Sequence, residues 1–184
     1  MTDFSEAEFR EISRRVQETG EYNLELILRV KNFKSQVWLK PDPSWESVLK
    51  IVNGAIKEAE EIDDICAPFK KLCGISGISV PTASALLATW APDRYAVIDR
   101  KMFKFFTRED AYSTIKSIFG IPDNDDLRML VEDAKEEFDA TCKKGWEDIY
   151  QQIYPKYLNV LRVIRDKTSH KDIRGVERKI WCSS

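Results

Sequence analysis

The chain has 184 residues, 43% hydrophobic and 33% charged, with a net charge of −2. That balance suits an ordinary globular protein, and we read residues 1–184 as a single domain. It does not suit a disordered chain or one that is basic throughout, and no apolar run reaches the roughly 20 residues of a membrane-spanning helix. The opening MTDFSEAEFREISRRV is acidic and amphipathic, unlike a signal peptide, so we expect a cytoplasmic protein without a membrane partner. Cys66, Cys73, Cys142 and Cys182 form no Cys-x-x-Cys pair, and His170 is the one histidine. Closed zinc and iron–sulfur sites need tighter ligand groups, so reduced, buried thiols are expected.

The predicted elements are helices almost throughout. Phe4, Phe9, Ile12 and Val16 make a first stripe that ends near Gly20. Leu24, Ile27, Val30 and Phe33 make a second. WLKPDPSW interrupts the pattern, and Ser44 is placed to cap the next helix. There Val48, Ile51, Val52, Ala55, Ile56, Ala59 and Ile62 recur at three and four residues, a core-facing stripe. A short helix runs into Cys73, and the next begins at Val80 or Pro81 with Ser79 as its cap. APDRYAV reads as a loop and IDRKMFKFF as a helix. Thr107, with Glu109 and Asp110 just after it, marks a fresh helix start, and Gly120 and Pro122 end that helix. Helices over 124–142, 146–168 and 172–182 complete an all-α chain with no convincing strand.

Charge is unevenly spread. Between Cys66 and Arg108, Lys70, Lys71, Arg94, Arg100, Lys101, Lys104 and Arg108 face only Asp93 and Asp99. Basic residues again outnumber Asp166, Asp172 and Glu177 between Pro155 and Lys179. Such runs are usually solvated helix faces. That is how we read Arg162, Arg165 and Arg174, with closure of a nucleic-acid face as the other possibility.

The segment CGISGISVPTASALL places two glycines before a helix of small residues. Gly74 and Gly77 permit a tight turn, and Ala83, Ser84, Ala85 and Ala88 let two helices approach closely. Such a turn is either a plain helix–helix connection or an anion site built from backbone N–H groups and a helix start. Asp99 follows eighteen positions after Pro81, within APDRYAVIDRKMF. On its own, Asp99 also suits the N-cap of the helix that begins at Arg100.

Taken together, the segment from Cys73 to Phe103 resembles the helix-hairpin-helix DNA glycosylase superfamily, and most of all the fold of 8-oxoguanine DNA glycosylases. The motif spans about 63–106 of a glycosylase-like helical domain. ISGISVPTA stands in the place of the family's hairpin and VIDRK in that of its aspartate motif. The resemblance implies a DNA partner, contacted along its phosphate backbone, with a base flipped out for chemistry. It implies that Asp99 is the catalytic carboxylate, stabilising positive charge on the sugar as an N-glycosidic bond breaks. It implies phosphate contacts at Gly74, Gly77, Ser79 and Lys101, with Arg100 and Lys104 adding to them. It also implies that the backbone carbonyls of Cys73, Ile75 and Ile78 can hold a structural K+ or Na+, with no cofactor required for chemistry. Pro81 falls where the bifunctional members carry a Schiff-base lysine, and proline offers no amine. The expected activity is therefore that of a monofunctional glycosylase in base excision repair. The alternative is a non-catalytic DNA-binding or sensing module with the same fold.

Overall fold

A computed structural model describes residues 6–35, 45–61, 66–141 and 150–183. Among the described residues there are ten helices and no strand, so the all-α expectation holds. They group into two compact units, one running to Pro92 and one from Asp93. The boundary falls inside the predicted motif, leaving the glycine turn in the first unit and Asp99 in the second. Among the described residues no helix is long and apolar enough to cross a membrane.

The first unit contains α1 (Glu6–Thr19), α2 (Leu24–Ser35), α3 (Trp45–Glu61), α4 (Cys66–Cys73) and α5 (Val80–Trp90). α5 is its centre and packs against α1, α2 and α4. Every residue from Thr82 to Trp90 is buried, and only a run this rich in alanine, serine and threonine lets neighbours close in on all sides. Its polar atoms are satisfied locally. Ser84 donates its hydroxyl to the Pro81 carbonyl, and Thr89 donates to that of Ala85. Tyr22, buried in the α1–α2 turn, donates its hydroxyl to the Leu86 carbonyl. Burial raises the pKa of that phenol and keeps it protonated.

The predicted stripe of α3 is mostly inside: Val52, Ala55, Ile56 and Ala59 are buried. Ile51 is exposed, because it lies at the edge of that stripe. Trp45 and Trp90 are core residues, as tryptophans usually are. Phe4, Ser44, Ile62, Cys142, Trp38 and Trp146 lie outside the described residues, as does the start of the helix expected over 146–168.

The second unit contains α6 (Arg100–Phe106), α7 (Ala111–Phe119), α8 (Asp125–Thr141), α9 (Tyr150–Asp166) and α10 (Ile173–Ser183). α9 packs against α8 and α10, and α6 lies against α8 and α10. An aromatic cluster joins three of them. Phe138 of α8 meets Phe103 edge-on with ring centroids 4.7 Å apart and stacks on Phe106 at 5.6 Å. Phe106 in turn meets Tyr157 of α9 edge-on. The acidic run of α8 has an internal counter-charge, since Lys156 Nζ reaches Asp133 at 2.8 Å and Glu137 at 2.9 Å. Lys156 therefore belongs to the packing of α8 on α9 and not to a free basic face.

α7 begins at Ala111, four residues after the expected start at Thr107, which instead ends α6, and Asp110 at its N-cap position makes no side-chain cap. The reason is competition: Arg108 donates to both carboxylate oxygens of Asp110, at 2.8 and 2.6 Å. That ion pair holds the Asp110 carboxyl below the usual carboxylate range.

Candidate functional site

The glycine turn is tight and its two glycines differ. Gly74 continues the helical bonding of α4, its N–H donating to the Lys70 carbonyl at 3.1 Å. Its φ is not positive, so the conformational freedom expected of Gly74 is not required there. Gly77 has φ +81°, a conformation that side chains resist. Ile78 N–H then donates to the Ile75 carbonyl at 3.0 Å, closing the turn. Gly77→Ala is expected to destabilise the protein by roughly 1–2 kcal/mol. Gly74→Ala should stay within about 0.5 kcal/mol of wild type, because its Cβ would meet the Lys71 carbonyl at an ordinary 3.4 Å. Urea melts of the two variants side by side check the contrast.

Ser79 occupies the N-cap position of α5 with extended backbone, φ −79° and ψ 164°. It does not cap with its side chain; its hydroxyl pairs with that of Thr82 at 3.0 Å. The Val80 and Thr82 N–H groups at this helix start are left without a side-chain cap, and Pro81 has no N–H to offer. Helix starts of this kind are where backbone donors commonly meet anions, although Thr82 itself is buried.

Lys31 of α2 also reaches the turn, and sequence spacing gave no hint of it. Its Nζ stands 2.9 Å from the place a Cβ on Gly77 would take, and 4.5 Å from the centroid of the Trp45 ring. Only 7% of Lys31 is exposed, and burial lowers the pKa of its ammonium. Lys71, by contrast, is an outer-face residue paired with Glu58 at 2.6 Å.

Cys73, at the start of the turn, is a poor nucleophile. Burial pushes its thiol up to about 12. Cys182 is exposed on α10. Brief treatment of the native protein with iodoacetamide at pH 8 is expected to alkylate Cys182 and spare Cys73, as read by peptide mass mapping. Equal labelling of both would contradict the burial of Cys73.

Asp99 is held from three sides. Upstream, Tyr95 to Ile98 are all buried, in a segment that is neither helix nor strand. Tyr154 and Tyr157, one turn apart on α9, donate their hydroxyls to the carbonyls of Ala96 at 2.9 Å and Val97 at 2.8 Å. Two rigid side chains thus clamp the strap that carries the aspartate. Burial raises the Tyr157 pKa well above the phenol range, and the negative charge of Asp99 adds to this. Downstream, Asp99 caps α6: Oδ1 accepts the N–H groups of Lys101 and Met102, each at 3.0 Å. Across the unit, the Trp181 indole N–H of α10 donates to Oδ2 at 3.3 Å. Asp99 remains partly exposed.

Lys101 belongs to the same cluster. Its Nζ donates to the Trp181 carbonyl at 2.6 Å and lies 4.2 Å from the centroid of that ring. Arg100 and Lys104 are exposed and make no ion pair among the described residues. Trp181 escaped the sequence reading because 82 residues separate it from Asp99 and no spacing links them. Arg174 also departs from the exposed face expected of it. Its side chain is 12% exposed and pairs with the buried Glu177 one turn on.

No family model matches the chain, and no curated protein or solved structure is significantly similar to it.

Proposed function

We propose that the protein binds DNA through its helix-hairpin-helix turn and excises a modified base as a monofunctional DNA glycosylase. The observation that carries this reading is Asp99, a partly exposed carboxylate fixed by a backbone cap, an indole donor and a clamped strap. In the proposed reaction, water adds to C1′ of the sugar and the C–N bond to the base breaks. The base leaves with the bonding electrons and takes up a proton. Asp99 stabilises the oxocarbenium character of the sugar and accepts the proton that water loses.

Gly77, Ser79 and the neighbouring amides would hold phosphate on one unit, with Lys101, Arg100 and Lys104 doing so on the other. Gly74 contributes as the end of α4. The cation expected at the Cys73, Ile75 and Ile78 carbonyls stays part of the proposal. Ile75 keeps a second lone pair after accepting from Ile78, while the Lys31 ammonium brings a competing charge to Gly77. No chemical step runs through that cation.

A second reading has its own support. Asp99 has a structural partner for each carboxylate oxygen, as it would in a DNA-binding or sensing module without turnover. Incubation with lesion-bearing duplexes in the presence of borohydride separates the cases. The monofunctional reading expects abasic sites without a trapped protein–DNA adduct. An adduct would contradict it and direct attention to the amine of Lys31. Binding without abasic sites would establish the module.

A further inference from the structure

The ends of two helices of the second unit meet at Asp99. α6 begins there, with Asp99 as its cap, and the last turn of α10 arrives with Trp181. The last carbonyls of a helix have no partner within it and carry its negative end. No basic residue of α10 itself stands in that last turn. Lys101 of α6 supplies the cation instead: its ammonium donates to the Trp181 carbonyl at 2.6 Å and lies over the Trp181 ring. The same tryptophan turns its indole N–H to Asp99 Oδ2 at 3.3 Å. Trp181 thus meets the carboxylate with its side-chain nitrogen, and the cation with its backbone carbonyl and ring face. Nearness in sequence does not bring Asp99 and Lys101 into this arrangement, because a lysine ammonium rides on a long flexible stem and can point many ways. The indole is a rigid plate, partly exposed, on a helix that packs against α6, α7 and α9. It is the stiff member of the trio.

We propose that Trp181 is the positioning residue of the site. It sets the Asp99 carboxylate and the Lys101 ammonium in one arrangement, so that a single side chain aligns the candidate carboxylate with the phosphate that Lys101 holds. This rests on the glycosylase reading above. An ammonium has three N–H donors, so Lys101 can keep the Trp181 carbonyl and still offer a donor to a phosphate oxygen. A carboxylate oxygen has more than one lone pair, so Oδ2 can accept from the indole and still face the water or the sugar. Holding both groups in advance removes the cost of ordering them when DNA arrives. Trp181 takes no part in bond breaking and acts through Asp99 and Lys101.

The test compares wild type, Trp181→Phe and Trp181→Leu in single-turnover base release, low-salt duplex binding and thermal melts. Trp181→Phe keeps an aromatic ring and the backbone carbonyl for Lys101 and loses the indole N–H. Its release rate is expected to fall about tenfold with duplex affinity unchanged, because a misplaced carboxylate costs rate and not binding. Trp181→Leu loses the ring as well, and its affinity should also fall by about two- to fivefold, what a cation over an exposed ring is worth. A packing role alone would lower the melting temperature and leave the rate of the folded protein untouched. The contact has a signature of its own in the NMR spectrum. The Trp181 indole N–H resonance, assigned by its loss in Trp181→Phe, should move upfield in Asp99→Asn, where a charged acceptor becomes neutral. Wild-type release by Trp181→Phe, wild-type affinity in Trp181→Leu, or an indole resonance unmoved by Asp99→Asn would each overturn the proposal and leave the glycosylase reading standing. No release by the wild type from any lesion would overturn both.

Discussion

Asp99→Asn is expected to lower base release at least a hundredfold while leaving the fold and duplex binding intact. The amide oxygen can still accept from the Lys101 and Met102 N–H groups, and asparagine caps helices as well as aspartate does. What disappears is the negative charge. A positioned base or charge-stabilising group is worth about 10²–10⁴ in rate, and the substituted side chain supplies neither role. The indole N–H of Trp181 would also lose a charged acceptor at Oδ2. Asp99→Ala is less informative, because loss of the cap alone destabilises by about 1 kcal/mol. Single-turnover release rates and thermal melts check both halves. A variant within tenfold of the wild-type rate would remove Asp99 from the chemistry.

Tyr154→Phe combined with Tyr157→Phe is expected to destabilise the second unit by about 2–5 kcal/mol. Each hydroxyl is the donor to a carbonyl in a fully buried strap, and phenylalanine leaves that carbonyl unpaired. An unsatisfied buried acceptor costs more than the mean worth of a hydrogen bond. The two sites are neighbours, so the pair need not equal the sum of the single changes. Release should also fall by tenfold or more, since the strap sets the position of Asp99 and small misplacements are expensive in rate. Guanidinium unfolding and the rate of the surviving folded fraction measure the two effects. A double variant within about 0.5 kcal/mol of wild type would contradict the clamp.

The parts legible in the sequence were those encoded by near neighbours. Helical periodicity located α1 to α10, and the aspartate before Arg100 announced its own cap. Small residues foretold the crowded surroundings of α5, since Ala83, Ala85 and Ala88 leave no bulk on any face. What failed depended on distant partners. Nothing near Gly77 points to Lys31, and nothing near Asp99 points to Trp181. Arg174 looked like a surface charge because its partner, Glu177, is itself a charged residue at helical spacing. Local competition also misled: Ser79 is at the cap position but its hydroxyl bonds that of Thr82. The two glycines of the turn look alike in sequence, and only backbone geometry separates Gly77 from Gly74.

The most direct test of the central claim is abasic-site formation by the wild type on duplexes carrying oxidised, deaminated and alkylated bases, followed by alkaline cleavage. Alkali-labile sites are expected on at least one lesion, with the strand intact before alkali. No release from any lesion, despite salt-sensitive DNA binding, would contradict it and establish a DNA-binding module without turnover.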